Sequence, residues 1–265
     1  MLQRIIMKLA SWNINSIKAR TDNALKWLKN AKPDVVFFQE LKTDGEHYPF
    51  DKIEELGYIS EIRGQKGYAG VATLIKKELE HTLISTELFE EGDEQARFIE
   101  IEVNGTRMIN IYAPNGNPSN IQESSEKYDF KLRWYERLEE KLFTYLKQEQ
   151  NVLIGGDFNI IPEDKDCYDP MAWKDDALFT QEVRKTYRRL INAGFTDSFR
   201  VFNQNADEYT FWDYQAGAWQ RGNGIRIDHF LTSPKISDQL KSCTIDKEPR
   251  GWDKPSDHTP IIIEI

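Results

Sequence analysis

The sequence predicts an α/β layered sandwich, with mixed β-sheets packed together and helices outside. Three observations carry this reading. Short runs rich in Val, Ile and Phe recur along the whole chain, and amphipathic helical patterns are interspersed with them. Two of these runs, 96–103 and 106–112, follow each other with no helix between, joined at Asn104-Gly105. Asn-Gly favours a tight hairpin because both central positions tolerate positive φ, so the sheet cannot be purely parallel.

The strands are expected in "MKLASWNI", "DVVFFQE", "GVATLIKK", "RFIEIEV", "RMINIYA", "NVLIGGDFN", "IRIDHFLT" and "TPIIIEI". Residues 16–30 read as a helix, with Ser16 as N-cap and Ile17, Ala24, Leu25 and Leu28 on one face. Between 126 and 149, Tyr128, Leu132, Tyr135, Leu138, Leu142 and Leu146 step by threes and fours, the spacing of a long amphipathic helix. A third helix is expected near 180–193, through Val183, Tyr187, Leu190 and Ile191.

With 265 residues, 39% of them hydrophobic, the chain can build one large core or two small ones. No Gly/Ser-rich or Pro-rich linker divides it, so one domain over 1–265 is expected, with residues 1–6 a possible extension ahead of Met7. No apolar run approaches the ~18 residues of a membrane span, and the start is too short in apolar residues for a secretory signal. Cys167 and Cys243 make neither a metal spacing nor a disulfide framework. A cytoplasmic monomer with no membrane partner is the expectation. Lys plus Arg is 35 against 44 Asp plus Glu, a net −9, which argues against nonspecific nucleic-acid binding. A local basic surface around an acidic, cation-neutralised centre stays compatible with it.

The strands share a feature at their ends. Asn13 closes "ASWNIN", Glu40 closes "VVFFQE", and Tyr112 and Asn115 sit in "INIYAPN". Asp157 and Asn159 end "NVLIGGDFNI", Asp228 interrupts the apolar "IRIDHF", and Asp257 and His258 precede the last strand. Taken singly, Asn13 and Asn115 serve equally as turn residues, Glu40 as a solvated strand end and Tyr112 as core. Asp228, between Ile225, Ile227 and Phe230, needs a partner to offset desolvation, and His258 is the candidate. If Asp157 and Asn159 continue one strand, alternation turns both to one side.

Together these residue types suit phosphoester hydrolysis. Carboxylate and carboxamide oxygens fit a hard cation such as Mg²⁺. His beside Asp keeps its proton and can hydrogen-bond a phosphoryl oxygen. A second Asp can take a proton from water, with an Asn holding that water or the developing charge. No Ser/His/Asp order, P-loop or dinucleotide glycine pattern competes.

At this point the motifs resemble a known family. "LASWNINSIKAR", "DVVFFQELK", "INIYAPNG", "LIGGDFNI", "YTFWDY", "GNGIRIDHFL" and "SDHTPI" are similar, in order, to those of the exonuclease III class of AP endonucleases, within the endonuclease/exonuclease/phosphatase superfamily. "GDFN" and "SDH" belong to the wider superfamily, whereas "SWNIN", "YTFWDY" and "RIDH" are specific to its DNA-repair branch. The resemblance implies a four-layered α/β sandwich with two central mixed sheets. It implies Mg²⁺- or Mn²⁺-dependent cleavage of double-stranded DNA 5′ to abasic sites, leaving a 3′-hydroxyl, with 3′-to-5′ exonuclease and 3′-phosphodiesterase activity at blocked 3′ ends. It makes Glu40 the principal metal ligand, helped by Asn13 and by Asp257, directly or through water. Asp157 activates the attacking water, Asn159 holds it, and His258, oriented by Asp228, contacts the phosphate with Tyr112. Ligand and catalyst roles overlap at Asp157, Asn159 and His258.

Two departures stand out: Leu41 where Thr or Ser usually follows the Glu, and His229 where an apolar or aromatic residue usually follows the Asp. The second would add a titrating group near the site. The segment from Tyr209 to Trp219 is dense in aromatics, either as a hairpin core or, as the resemblance implies, with Phe211 or Trp212, Ile225 and Ile227 forming a pocket for an extruded abasic sugar. Arg184, Lys185, Arg188 and Arg189 make either a solvated helix face or a phosphate-facing one, and Lys42, Arg63, Lys66 and Arg221 are further candidates for phosphate contacts. A soluble-phosphoester hydrolase of the same superfamily would keep the hydrolytic residues but has no need of "YTFWDY". A DNA-binding scaffold without catalysis would not keep every catalytic residue type.

Overall fold

The computed structural model describes residues 6–89, 95–117 and 124–265, so the expected extension lies almost wholly outside the described residues. Twelve described strands form two six-stranded sheets. The first contains β1 (Lys8–Asn13), β2 (Val35–Gln39), β3 (Tyr58–Arg63), β4 (Val71–Lys76), β11 (Ser242–Ile245) and β12 (Ile261–Glu264), in the order β11-β12-β1-β2-β4-β3. The second contains β5 (His81–Ser85), β6 (Phe98–Val103), β7 (Thr106–Tyr112), β8 (Asn151–Asp157), β9 (Thr196–Asp197) and β10 (Asp228–Thr232), in the order β5-β6-β7-β8-β10-β9.

The two sheets are built alike. Each has one parallel pair at its centre, β1 with β2 and β7 with β8, and antiparallel neighbours on both sides. A parallel pair cannot be joined by a hairpin and needs a crossover, normally a helix. Helix α1 (Ile17–Ala31) supplies the first and α3 (Ser124–Lys147) the second. Ser16 caps α1, accepting a bond from the Ala19 N–H. Thr180 caps α4 (Gln181–Ala193) in the same way, through the Val183 N–H.

Trp12, Phe38 and Leu74 of the first sheet pack against Ala24, Trp27 and Leu28 of α1, and Ile53 of α2 (Phe50–Glu55) joins them. Ile109, Val152, Ile154 and Leu231 of the second sheet pack against Trp134, Tyr135, Leu138 and Leu142 of α3 and Val183 and Leu190 of α4. Between the sheets, Leu9, Val35, Phe37, Val71 and Ile263 meet Ile99, Ile101, Met108, Leu153 and Phe230. The layers therefore run helix, sheet, sheet, helix. Gly155 leaves room at the sheet interface, since a Cβ there would lie 2.3 Å from the ring of Phe230, its cross-strand partner, and 3.1 Å from Phe37 of the other sheet. A polar layer crosses the same interface. Gln39 donates to Ser11 Oγ at 3.1 Å and Asn110 Oδ1 at 2.8 Å, and Asn110 donates to the Ala72 carbonyl at 2.9 Å. Because these groups are fully buried yet partnered, they fix the register of one sheet over the other.

Candidate active site

The carboxyl ends of both central parallel pairs point to one edge of the sandwich, and the polar strand-end residues gather there. Asn13 ends β1, Glu40 follows β2, Tyr112 ends β7, Asp157 ends β8, and Asp228, opposite Asp157 in register, opens β10. In open α/β sheets this is where a crevice forms. The cleft encloses about 320 Å³, and Glu40, Tyr112, Asn115, Asp157, Asn159, Asp257 and His258 line it. The backbone is bent where strand gives way to site: Asn15, Glu40, Lys42 and Asn159 all take positive φ, of 46°, 54°, 54° and 48°. Left-handed non-glycine residues cost energy, and the surrounding packing holds them here.

Asn13 bridges the two sheets' contributions. Its Nδ2 donates to Glu40 Oε1 and to Asp157 Oδ2, both at 3.0 Å, while its Oδ1 accepts the Asn15 N–H at 3.0 Å. With its oxygen accepting the Asn15 N–H, Asn13 orients the two carboxylates through its nitrogen. Glu40 also accepts from the Tyr112 hydroxyl at 2.9 Å, and its other oxygen pairs with Lys42 Nζ at 2.8 Å. Burial alone would raise the Glu40 pKa, but Lys42, Asn13 and His258 outweigh it and the carboxyl is held below its ordinary value. Tyr112 is pushed well above the ordinary phenol value by burial and by the Glu40 charge, so it stays protonated. Arg97 lies beneath it, its guanidinium 4.5 Å from the ring centroid and bonded to the Tyr112 carbonyl at 3.0 Å.

Asp157 and Asn159 both reach the cleft, but not by strand alternation. Strand β8 stops at Asp157, and the left-handed Asn159 turns back so that its N–H donates to Asp157 Oδ1 at 2.8 Å. Asn159 Nδ2 donates to the Ala113 carbonyl at 2.9 Å, and its Oδ1 accepts from Asn115 Nδ2 at 3.1 Å. Asn115, offered by the sequence as a turn residue, accepts the Asn117 N–H at Oδ1 at 3.0 Å and through its Nδ2 joins the same cluster.

His258 Nδ1 lies 2.8 Å from Asp228 Oδ2, and its Nε2 faces Asp157 Oδ2 at 3.8 Å. The Trp12 indole donates to the His258 carbonyl at 3.1 Å, and the Phe211 ring stands edge-on at 5.0 Å. Burial would depress the imidazole, but Asp228 first and Asp157 after it raise its pKa to about 10. The Asp157 carboxyl is raised to about 7, by burial first and also by the Asp228 charge, against the opposing pull of His258 and Asn13. Among the described residues, Glu40, Asp157 and His258 each offer a ligand atom within 4.8 Å of the others. The two carboxylates are oxygen donors that a divalent cation fits, while the imidazole, protonated by its carboxylate neighbours, is a hydrogen-bond donor beside them. Asp257 lines the cleft outside that trio, its Oδ1 accepting from Asn15 Nδ2 at 2.9 Å.

The apolar wall of the cleft comes from Phe211, Ile225 and Ile227, with Leu178 and Trp173 beside them. Trp212 does not take part. As the neighbour of Phe211 it turns to the other side, packing edge-on to Tyr209 at 6.2 Å and Trp219 at 4.8 Å. His229 is a second correction, because it faces away from Asp228 across β10. It is fully buried, accepts from Arg226 at Nδ1 and donates to the Ile160 carbonyl through Nε2. Burial and the Arg226 charge bring its pKa down to about 4, so it adds no titrating group to the site. Leu41 is core, packed with Trp12 and Ile17. On α4, Arg184 pairs with Asp164 and Arg189 with Glu139, and Arg63 pairs with Glu87, so these basic residues are engaged within the protein. Lys131 escaped the sequence reading because it sits on the buried stripe of α3, where periodicity alone calls for an apolar residue; its Nζ contacts the Asn115, Asn159 and Ala177 carbonyls.

The chain is similar to known proteins over nearly its whole length. Residues 10–258 match the model of the endonuclease/exonuclease/phosphatase family. The chain is 35% identical to an exodeoxyribonuclease III of Haemophilus influenzae, over 97% of this chain and 99% of that protein. Its structure is similar to that of an AP endonuclease from Archaeoglobus fulgidus, with a TM-score of 0.89 and 35% identity over 97% of this chain and 98% of the other. It is also similar to a 3′ phosphatase from Neisseria bound to a product DNA hairpin, with a TM-score of 0.87 and 33% identity over 98% of this chain and 99% of the other.

Proposed function

The chain belongs to the endonuclease/exonuclease/phosphatase family and is a DNA-repair nuclease within it, and from that premise we propose that it hydrolyses the phosphodiester 5′ to abasic sites in duplex DNA using Mg²⁺. Exonuclease and 3′-phosphodiesterase activity at blocked 3′ ends belong to the same proposal. The observation that carries it is the meeting of Glu40, Asp157 and His258 within 4.8 Å, at an edge to which both sheets contribute.

Glu40 would be the ligand of first rank for the cation, with the Asp157 carboxylate in reach and Asp257 at the same cleft, while the protonated His258 keeps its Nε2 proton for the substrate. A bound divalent cation supplies charge neutralisation and Lewis-acid polarisation at the phosphate. Asp157 takes a proton from the attacking water, its carboxylate steadied by Asn13 and by the Asn159 N–H. The carboxamides of Asn159 and Asn115, bonded to each other, border the water's position. His258, charged and held by Asp228, donates from Nε2 to a non-bridging phosphoryl oxygen, with Tyr112 on the same side. The new bond joins water oxygen to phosphorus, the bond from phosphorus to the 3′-oxygen breaks, and solvent protonates the departing alkoxide. Phe211, Ile225 and Ile227 form the apolar wall against which an extruded abasic sugar, cheaper to flip than an intact nucleotide, would pack.

Product analysis of one abasic duplex and one recessed 3′ end, with Mg²⁺ and with EDTA, tests this. The expected result is a Mg²⁺-dependent nick 5′ to the lesion bearing a 3′-hydroxyl. Hydrolysis of soluble phosphoesters with no nick at the lesion would overturn it.

A further inference from the structure

Lys131 projects from α3 toward the cleft and is fully buried. Its Nζ donates to three backbone carbonyls, Asn115 at 3.0 Å, Asn159 at 2.7 Å and Ala177 at 2.9 Å. Burial pulls the Lys131 pKa down to about 7, and the three carbonyls match in number the three protons of its ammonium form. The carbonyls belong to three separate segments: the one after β7, the one after β8, and the one leading into α4. Gly116 lies in the path, where a Cβ would sit 2.7 Å from Lys131 Cδ, so the glycine leaves room for the lysine to pass.

We infer that Lys131 is a positioning residue for the hydrolytic step, fixing from below the backbone that aims the Asn115 and Asn159 carboxamides into the cleft. The inference rests on the nuclease reading above. Two of its three acceptors are the carbonyls of residues whose side chains border the reacting centre. Asn159 is held at φ 48°, a conformation that needs support from its surroundings. The third acceptor ties in the segment carrying Asp176 and Leu178, which also line the cleft. Asp176 is itself clasped by Asn117 Nδ2 at 3.0 Å, and the Asn117 carboxamide oxygen accepts the Ala177 N–H at 2.9 Å. An apolar side chain of similar length fills the same volume but leaves the three segments without a common anchor. Substrate would still bind along the rim, while the groups that hold the water would lose their registration.

The test compares Lys131→Met with Leu142→Ala, a core change on the same helix roughly 16 Å away along its axis. For each protein, kcat and KM are measured on an abasic duplex with Mg²⁺, and duplex Kd is measured in EDTA, below both melting temperatures. The expected outcome for Lys131→Met is a kcat about a hundredfold lower, the scale of a misplacement near 1 Å, with KM and Kd within about threefold of wild type. Leu142→Ala should keep its kcat. A kcat loss no greater than that of Leu142→Ala, or a loss confined to KM, overturns the positioning role. Wild-type protein that fails to incise the duplex overturns the nuclease reading instead. Should Lys131→Met not accumulate in folded form, Lys131→Gln, which keeps a donor, carries the same comparison.

Discussion

Asp157 is 1% exposed, within reach of a second buried carboxylate, and bonded to only one carboxamide and one N–H. Its raised pKa means that the ionised form is destabilised by folding. The carboxyl moves from 3.8 to about 7, so the folded protein holds that proton more tightly than the unfolded chain. Stability from this group is complete below pH 3.8 and is lost as pH rises through 7. Asp157→Asn is therefore expected to lose most turnover yet melt higher than wild type at pH 8 in metal-free buffer, with the gap closing toward pH 4. Equal melting temperatures across that range, or near-wild-type rates, would remove Asp157 from its role. At this scale the sequence was informative about residue type and silent about conformation. Asp228 announced its need for a partner by sitting in an apolar run. Nothing in "GDFN" revealed that Asn159 turns left-handed, whereas the turn reading of Asn13 holds, its oxygen accepting the Asn15 N–H.

Strand β10 and the segment before it show how an element distributes roles. Ile225 and Ile227 face the cleft, whereas Arg226 between them faces inward, pairing with Asp166 at 2.6 Å and Asp197 at 2.9 Å. Phe211 and Trp212 divide the same way. Trp212→Ala is accordingly expected to cost about 3–5 kcal/mol of stability while leaving kcat/KM on abasic DNA close to wild type in the folded protein. Ile227→Ala should instead weaken the preference for an abasic nucleotide over an intact one. Denaturant melts and competitive incision of the two substrates separate these effects; a preference unchanged in Ile227→Ala and lost in Trp212→Ala would reverse the assignment. The sequence could not divide these neighbours, since both are large aromatics in an irregular stretch where a period of two has no strand to act on. Strands β3, β5, β9 and β11 escaped for a related reason. They are the four sheet edges, with few neighbours to bury them, and "HTLIS" on β5 is half exposed throughout. The central strands, buried on both faces, read clearly.

Across the whole molecule the two sheets each contribute half a site: Asn13 and Glu40 from the first, Tyr112, Asp157 and Asp228 from the second. The layered class was legible because three amphipathic helices and eight apolar strands leave few other packings. The pairing of two like halves was not, since β1-α1-β2 and β7-α3-β8 share a plan without sharing a sequence period. Only a small part of the net charge of −9 lies at this edge, where Glu40, Asp157 and Asp257 line one cleft. That shared centre is the claim on which the rest depends. Single-turnover incision of an abasic duplex across a Mg²⁺ titration, wild type beside Glu40→Gln, tests it most directly. The expected result is a curve for Glu40→Gln shifted to at least about tenfold higher Mg²⁺, the scale of losing one charged ligand contact. Superimposable curves would mean that the cation does not bind where the two sheets meet.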